Sequence, residues 1–208
     1  MNERGLPYGS QKYWENRYNK EKAQDTTFDW YPGADEILCE EMVKYLPPDK
    51  GTRVLEIGSG SSQLAYKLCC QLSYRVVATD ICLNVIHNIQ EKWKGSLAKG
   101  AIEFMCVDCC KLPLACQSLR SVVDKGTLDA VDCTDDRATG KCLEEVHRVL
   151  LDAGFYFLVS CREPKTRRED VSHLFDIVSI VEIRSAANKS CPCPDAYLYI
   201  LQKKPSVI

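Results

Sequence analysis

Short apolar runs alternate along this chain with segments whose apolar residues recur every three or four positions. Between 34 and 46, Ile37, Leu38, Met42, Tyr45 and Leu46 share one helical face, and Pro47-Pro48 ends it. RVLEIG (53–58) reads as a strand followed by a glycine turn. Leu64, Ala65, Leu68 and Leu72 then mark a helix, RVVATD (75–80) a second strand, and Val85, Ile86, Ile89 and Trp93 another helix. IEFMCVD (102–108), LRSVVDKG (119–126) and FYFLVS (155–160) continue the strands, with a helix carrying Leu143, Val146, Val149 and Leu150 before the last of them. The runs 176–183 and 196–202 close the series. Strands separated by helices demand crossover connections, so the pattern predicts a doubly wound α/β fold. Its seven-stranded sheet is mostly parallel, with an antiparallel hairpin at one edge. Residues 1–33 are polar and aromatic, with a short helix expected at 11–20 and a turn at Pro32-Gly33. The expectation is one domain over 1–208, made of an N-terminal segment (1–33), a core (34–160) and C-terminal edge strands (161–208).

Composition narrows the class. Of 208 residues, 45% are hydrophobic and 27% charged, which suits a globular core. The 27 basic and 29 acidic residues leave a net charge of −2, which supplies no electrostatic footprint for nucleic acid. No apolar stretch is long enough to span a bilayer, and the first residues resemble neither a signal peptide nor a presequence. A soluble, cytoplasmic monomer is expected. Thirteen cysteines invite a metal reading at Cys106-x-x-Cys109-Cys110 and at Cys191-Pro-Cys193. Neither has a paired Cys/His knuckle nearby, so reduced thiols and no metal are expected.

In such a sheet, ligands bind at the carboxyl ends of the strands. The turn after the first strand is Glu56-Ile57-Gly58-Ser59-Gly60-Ser61-Ser62. Gly58 and Gly60 allow positive φ and close approach to the backbone. No Gly-Lys-Ser/Thr follows, and Gln63 stands where a dinucleotide fingerprint needs glycine. Asp80 closes the second strand, placed to hold a ribose or, alternatively, to cap the next helix. Asp108 closes the third. Acids at successive strand ends without a pyrophosphate fingerprint point to a nucleoside cofactor lacking phosphates, and S-adenosylmethionine fits.

Glu56-x-Gly58-x-Gly60, Asp80 and Asp108 resemble the successive motifs of class I S-adenosylmethionine-dependent methyltransferases. Asp124-Lys125-Gly126-Thr127-Leu128-Asp129-Ala130, with Tyr13-Trp14-x-x-x-Tyr18 and Phe28-Asp29-Trp30-Tyr31, is similar to the methyltransferase-like lysine methyltransferases. That group includes enzymes acting on elongation factor 1-alpha and on citrate synthase; the missing presequence disfavours the latter. The resemblance spans roughly residues 8–160. It implies cofactor contacts at Trp14, Tyr18, Trp30, Gly58, Gly60, Asp80, Ile81, Asp108, Cys109 and Lys125, with the N-terminal aromatics as a helical lid. The same aromatics would equally serve to anchor the first helix. It also implies a lysine-bearing protein substrate, with elongation factor 1-alpha a candidate.

Residue by residue, Asp80 would hold the ribose, Ile81 pack on the adenine, and Asp108 and the Cys109 N–H bond its edge. Lys125 would offer a point charge to the methionine carboxylate or, alternatively, pair with Asp124 or Asp129. Asp124 and Asp129 are the candidates to orient the incoming amine or take its proton, against a capping role. Lys165, Arg167 and Arg168 read as a solvated loop or a contact for an acidic substrate surface. A small-molecule methyltransferase and a silent cofactor-binding module are the competing readings.

Overall fold

A computed structural model describes residues 7–24, 29–95, 101–184 and 195–205 of the chain; Phe28, Cys191 and Cys193 fall outside them. Seven strands form one sheet in the order β3-β2-β1-β4-β5-β7-β6. They are β1 (Arg53–Ile57), β2 (Arg75–Asp80), β3 (Ile102–Cys106), β4 (Leu119–Lys125), β5 (Leu150–Ser160), β6 (Phe175–Ile183) and β7 (Ala196–Lys203). The first five run parallel. β7 lies antiparallel between β5 and β6. The expected closing pair is present, with its later strand on the inside.

Alternating side chains of the central strands feed two apolar layers, as the period of two requires. Val54, Val76, Val123 and Phe157 pack with α2 (Ala34–Tyr45) and α3 (Leu64–Leu72), through Leu38, Met42, Leu64 and Leu68. Leu55, Val77, Val122 and Tyr156 face the other way, against Leu143, Val146 and Val149 of α6 (Asp136–Val149) and Val171 of α7 (Pro164–Val171). A third cluster joins α1 (Gln11–Gln24) to α4 (Leu83–Lys92) through Tyr18, Cys82, Val85 and Ile89. It is this cluster that brings the N-terminal aromatics over the carboxyl ends of β1 and β2.

The structure corrects the sequence reading in three places. β5 begins at Leu150, five residues before the expected start. Asp152-Ala153-Gly154 lies inside the strand as an irregularity, with Ala153 at φ 56°. A short helix, α5 (Thr127–Val131), follows β4 directly. Finally, 164–171 is helical, and its Arg167 is the reverse of solvated: it is fully buried. Arg167 Nη2 donates to Asp129 Oδ1 at 2.9 Å, Asp132 Oδ2 at 2.8 Å and Ser160 Oγ at 3.0 Å, and Nη1 reaches Asp170 at 3.0 Å. The cluster welds α7 to α5 and the end of β5.

Removing one partner from a buried ion cluster strands the others in low dielectric. Arg167→Leu is therefore expected to cost about 3–5 kcal/mol of unfolding free energy, read from urea denaturation. A loss below about 1 kcal/mol, the worth of a surface pair, would show that the cluster does not hold α7 in place.

Candidate cofactor pocket

The turn after β1 is shaped by two glycines in the left-handed region, Gly58 at φ 64° and Gly60 at φ 52°. A Cβ on Gly58 would fall 1.9 Å from Thr127 Oγ1, which itself donates to the Ile57 carbonyl at 2.9 Å. The turn is thus pressed against the start of α5. A Cβ on Gly60 would come within 3.0 Å of the Tyr18 hydroxyl. Glycine is needed here for space as well as for φ.

Asp80 fastens this turn to the end of β2. Its Oδ2 accepts from the Gly60 N–H and its Oδ1 from the Cys82 N–H, both at 2.9 Å. One oxygen thus organises the loop before α4, and the other holds the glycine turn. Burial pushes its pKa up to about 6, against the lowering effect of those N–H donors.

Around this turn lies a cavity of ≈ 320 Å³, within the size range of small-molecule sites. All ten residues expected at the cofactor line it: Trp14, Tyr18, Trp30, Gly58, Gly60, Asp80, Ile81, Asp108, Cys109 and Lys125. The aromatic wall is built from rings in mutual contact. Trp14 stacks on Tyr18 with centroids 6.0 Å apart and meets Trp30 edge-on at 5.7 Å. Trp14 Nε1 donates to the Tyr8 carbonyl at 2.6 Å. These rings anchor the N-terminal helix and line the cavity at once.

Other placements differ from expectation. Lys125 pairs with neither Asp124 nor Asp129. Its Nζ lies 2.8 Å from Asp29 Oδ1 and 2.7 Å from Asp35 Oδ1. Burial works against its charge, but Asp35 and Asp29 outweigh it and hold the pKa above the usual lysine value. Two of its three N–H donors are committed, so it is not a free point charge. Asp124 does not line the cavity. Fully buried, its carboxylate accepts from the Thr127 N–H (2.7 Å), the Leu128 N–H (3.0 Å) and the Tyr156 hydroxyl (3.0 Å). It fixes the first turn of α5, the capping role set beside the catalytic one. Asp129 is likewise held in place, by the Tyr31 hydroxyl at 2.6 Å, Ser160 Oγ at 2.5 Å, the Cys161 N–H at 3.1 Å and Arg167. Neither acid is among the residues lining the cavity, and both accept several hydrogen bonds from the protein.

Two wall residues escaped the sequence reading as site groups. Arg17 lines the cavity and lies 5.2 Å over the Trp30 ring. Glu56 also lines it, only 2% exposed, with Oε2 buried and unpartnered. Burial drives its pKa up to about 8, against the lowering influence of Lys125. Ser59 Oγ at the same wall is unpartnered as well. A buried carboxylate oxygen and hydroxyl without partners are costly. A ligand with a cationic, hydrogen-bonding group would satisfy both, and the α-amino group of S-adenosylmethionine is of that kind.

The profile of the family described as "Methyltransferase domain" matches residues 55–158. "eEF1A lysine and N-terminal methyltransferase" of Mus musculus is 33% identical over 170 residues, 80% of this chain but 23% of that protein. The chain thus spans about a quarter of the length of that relative. "Methyltransferase srdJ" of Neurospora crassa is 27% identical over 96% of this chain and 86% of its own. Among solved structures, the N-methyltransferase NodS from Bradyrhizobium japonicum, in complex with S-adenosyl-L-homocysteine, superposes with TM-score 0.71 at 16% identity, covering 92% of this chain and 99% of that one. The chain belongs to the S-adenosylmethionine-dependent methyltransferases, with their Rossmann-like fold.

Glu56 carries a sign that can be tested. A carboxyl whose folded pKa exceeds its unfolded value destabilises the fold as pH rises from the unfolded to the folded pKa. In the ligand-free protein, Glu56→Gln should raise unfolding free energy by a few kcal/mol at pH 9, on the scale of 1.36 kcal/mol per pKa unit, and by almost nothing at pH 4. Equal stability of the two proteins at pH 9 would mean that the carboxylate is solvated or paired.

Proposed function

We propose that this chain transfers the methyl group of S-adenosylmethionine to a lysine side chain of a protein, with elongation factor 1-alpha the first substrate to try. The observation that carries the cofactor half is the pair of unpartnered buried groups, Glu56 and Ser59, beside the Asp80-clamped glycine turn. The substrate half is supported by the similarity to the eEF1A lysine and N-terminal methyltransferases over 80% of this chain. A small-molecule acceptor is the second reading, since the name "Methyltransferase srdJ", similar over 96% of this chain, specifies no acceptor.

In this reading Asp80 accepts from the ribose hydroxyls while keeping its two backbone donors, since a carboxylate has about four lone-pair sites. Ile81 packs on the adenine, and Asp108 with the Cys109 N–H bonds its edge. Glu56 receives the α-amino group. Arg17 and the remaining N–H of Lys125 face the carboxylate. The bound cofactor supplies an electrophilic methyl on a sulfonium.

The protein's contribution is then alignment and exclusion of water. Trp14 and Trp30, with Tyr8, form an apolar wall that keeps water from the reacting atoms. A lysine amine of pKa about 10.4 is almost wholly protonated at neutral pH. Burial against these rings, beside a cationic centre, favours its neutral form. With Asp124 and Asp129 engaged elsewhere, no carboxylate relay is assigned, and the amine enters after losing its proton to solvent.

Two measurements bear on this. Calorimetric titration with S-adenosylmethionine should show affinity rising from pH 6 to 7.5, as Glu56 begins to ionise (about 8 in the free protein) while the cofactor's α-amino group is still a cation. Asp80→Ala should weaken binding by roughly one to three kcal/mol, the cost of unmade buried hydrogen bonds. Unchanged affinity in Asp80→Ala would remove the ribose assignment. For the substrate, incubation with methyl-labelled cofactor and recombinant elongation factor 1-alpha should yield a methyllysine by peptide mass spectrometry. Label appearing only in metabolites would select the small-molecule reading.

A further inference from the structure

Where the chain leaves β3, three potential metal ligands come together. One atom each from Asp108, Cys109 and Cys110, a carboxylate oxygen and two sulfurs, lies within 4.8 Å of the other two. The backbone enforces this. Asp108 Oδ1 accepts from the Cys110 N–H at 2.8 Å, and the Asp108 carbonyl accepts from the Lys111 N–H at 2.9 Å. A tight turn thereby holds adjacent cysteines beside the acid that precedes them.

α6 closes the turn from behind. Cys110 Sγ sits 3.5 Å from the Ala138 carbonyl, and the Cys109 thiol is within hydrogen-bond reach of both Cys110 and the fully buried Cys142. All three potential ligands also line the cavity.

A tetrahedral zinc with Zn–S bonds of about 2.3 Å separates its sulfurs by roughly 3.8 Å. A cluster whose ligand atoms all lie within 4.8 Å of one another accommodates that spacing. Paired thiols with one carboxylate select a thiophilic cation over magnesium or calcium. Three protein ligands leave the fourth position open, as in exchangeable zinc sites.

We propose that Asp108, Cys109 and Cys110 bind a thiophilic divalent cation, zinc by its chemistry, and that this excludes the nucleoside end of the cofactor. Metal binding exchanges the two thiol protons, which leave to solvent, for two sulfur–metal bonds. The exclusion rests on the cofactor reading above, which places the adenine against Asp108 and Cys109; the metal site does not. Such a site would make methyl transfer sensitive to the level of free zinc.

The test uses the full chain kept reduced with a non-thiol phosphine. Cobalt(II) serves as the probe through its thiolate charge-transfer absorption, with zinc as the displacing ion. The wild type is expected to develop the band and lose it on zinc addition. Cys109→Ser and Cys110→Ser should each weaken cobalt binding at least tenfold, and the exposed Asp108→Asn should weaken it by a smaller factor. Cys70→Ser and Cys116→Ser, at exposed thiols elsewhere, should change it less than twofold. No band in the wild type, or a full band in the Cys109→Ser/Cys110→Ser double variant, overturns the site.

S-adenosylhomocysteine is then titrated with and without saturating zinc. At least tenfold weaker binding with zinc supports exclusion, and unchanged affinity overturns it. Failure of S-adenosylhomocysteine to bind the zinc-free protein overturns the cofactor reading and the exclusion with it, while the cobalt result stands by itself.

Discussion

The carboxylate of Asp80 accepts from the N–H groups of Gly60 and Cys82, each at 2.9 Å, and the form of the cavity depends on that clamp. Thr79 of β2 adds to the clamp: its Oγ1 donates to the Glu56 carbonyl at 2.9 Å, and its carbonyl accepts from the Ser59 N–H at 2.7 Å. The opposite flank of the turn after β1 is set by Thr127, whose hydroxyl bonds the Ile57 carbonyl and occupies the space a Gly58 side chain would need. Between these two constraints the backbone has one available path. That path brings Gly58, Ser59 and Gly60 to the cavity wall and leaves Ser59 and Glu56 buried there. A preorganised surface of this kind asks little further ordering of the protein when a ligand arrives.

Electrostatically, the site holds its acids at different depths. Glu56 and Asp80 sit where burial disfavours their charge, with pKa values raised to about 8 and about 6. Asp124 is equally buried, at about 7, but three donors on the protein already serve it. The first pair retains lone pairs for a cationic, hydroxyl-bearing guest, whereas Asp124 is committed to the scaffold. Asp29 and Asp35 engage two of the N–H donors of Lys125, which ties the N-terminal segment to the end of β4.

Much of this was legible in the residues. The strands surface as apolar runs because both faces of a parallel sheet are covered, and Asp80 is found by counting from the glycine turn. What stayed hidden depends on partners distant in sequence. The acids that engage Lys125 lie 96 and 90 residues away, so spacing suggested its neighbours Asp124 and Asp129 instead. α7 reads as a polar loop because its principal buried side chain is an arginine, which hydrophobic periodicity does not register. Glu56 reads as part of the glycine-turn motif, and only the folded arrangement shows that its buried Oε2 lacks a protein hydrogen-bond partner. Whether an acid such as Asp129 is available for chemistry depends on how many of its lone pairs are spoken for, and composition does not encode that.

The position of β7 has a bearing on how the chain reaches this state. It follows β6 in sequence yet sits between β6 and β5. During synthesis, then, β6 emerges with no neighbour to bond, and the flank of β5 stays open until residues 196–203 arrive. Unfinished sheet margins of this sort invite pairing with foreign strands. A nascent chain stalled before residue 196 would expose two such margins, so chaperone engagement should concentrate in that interval of translation.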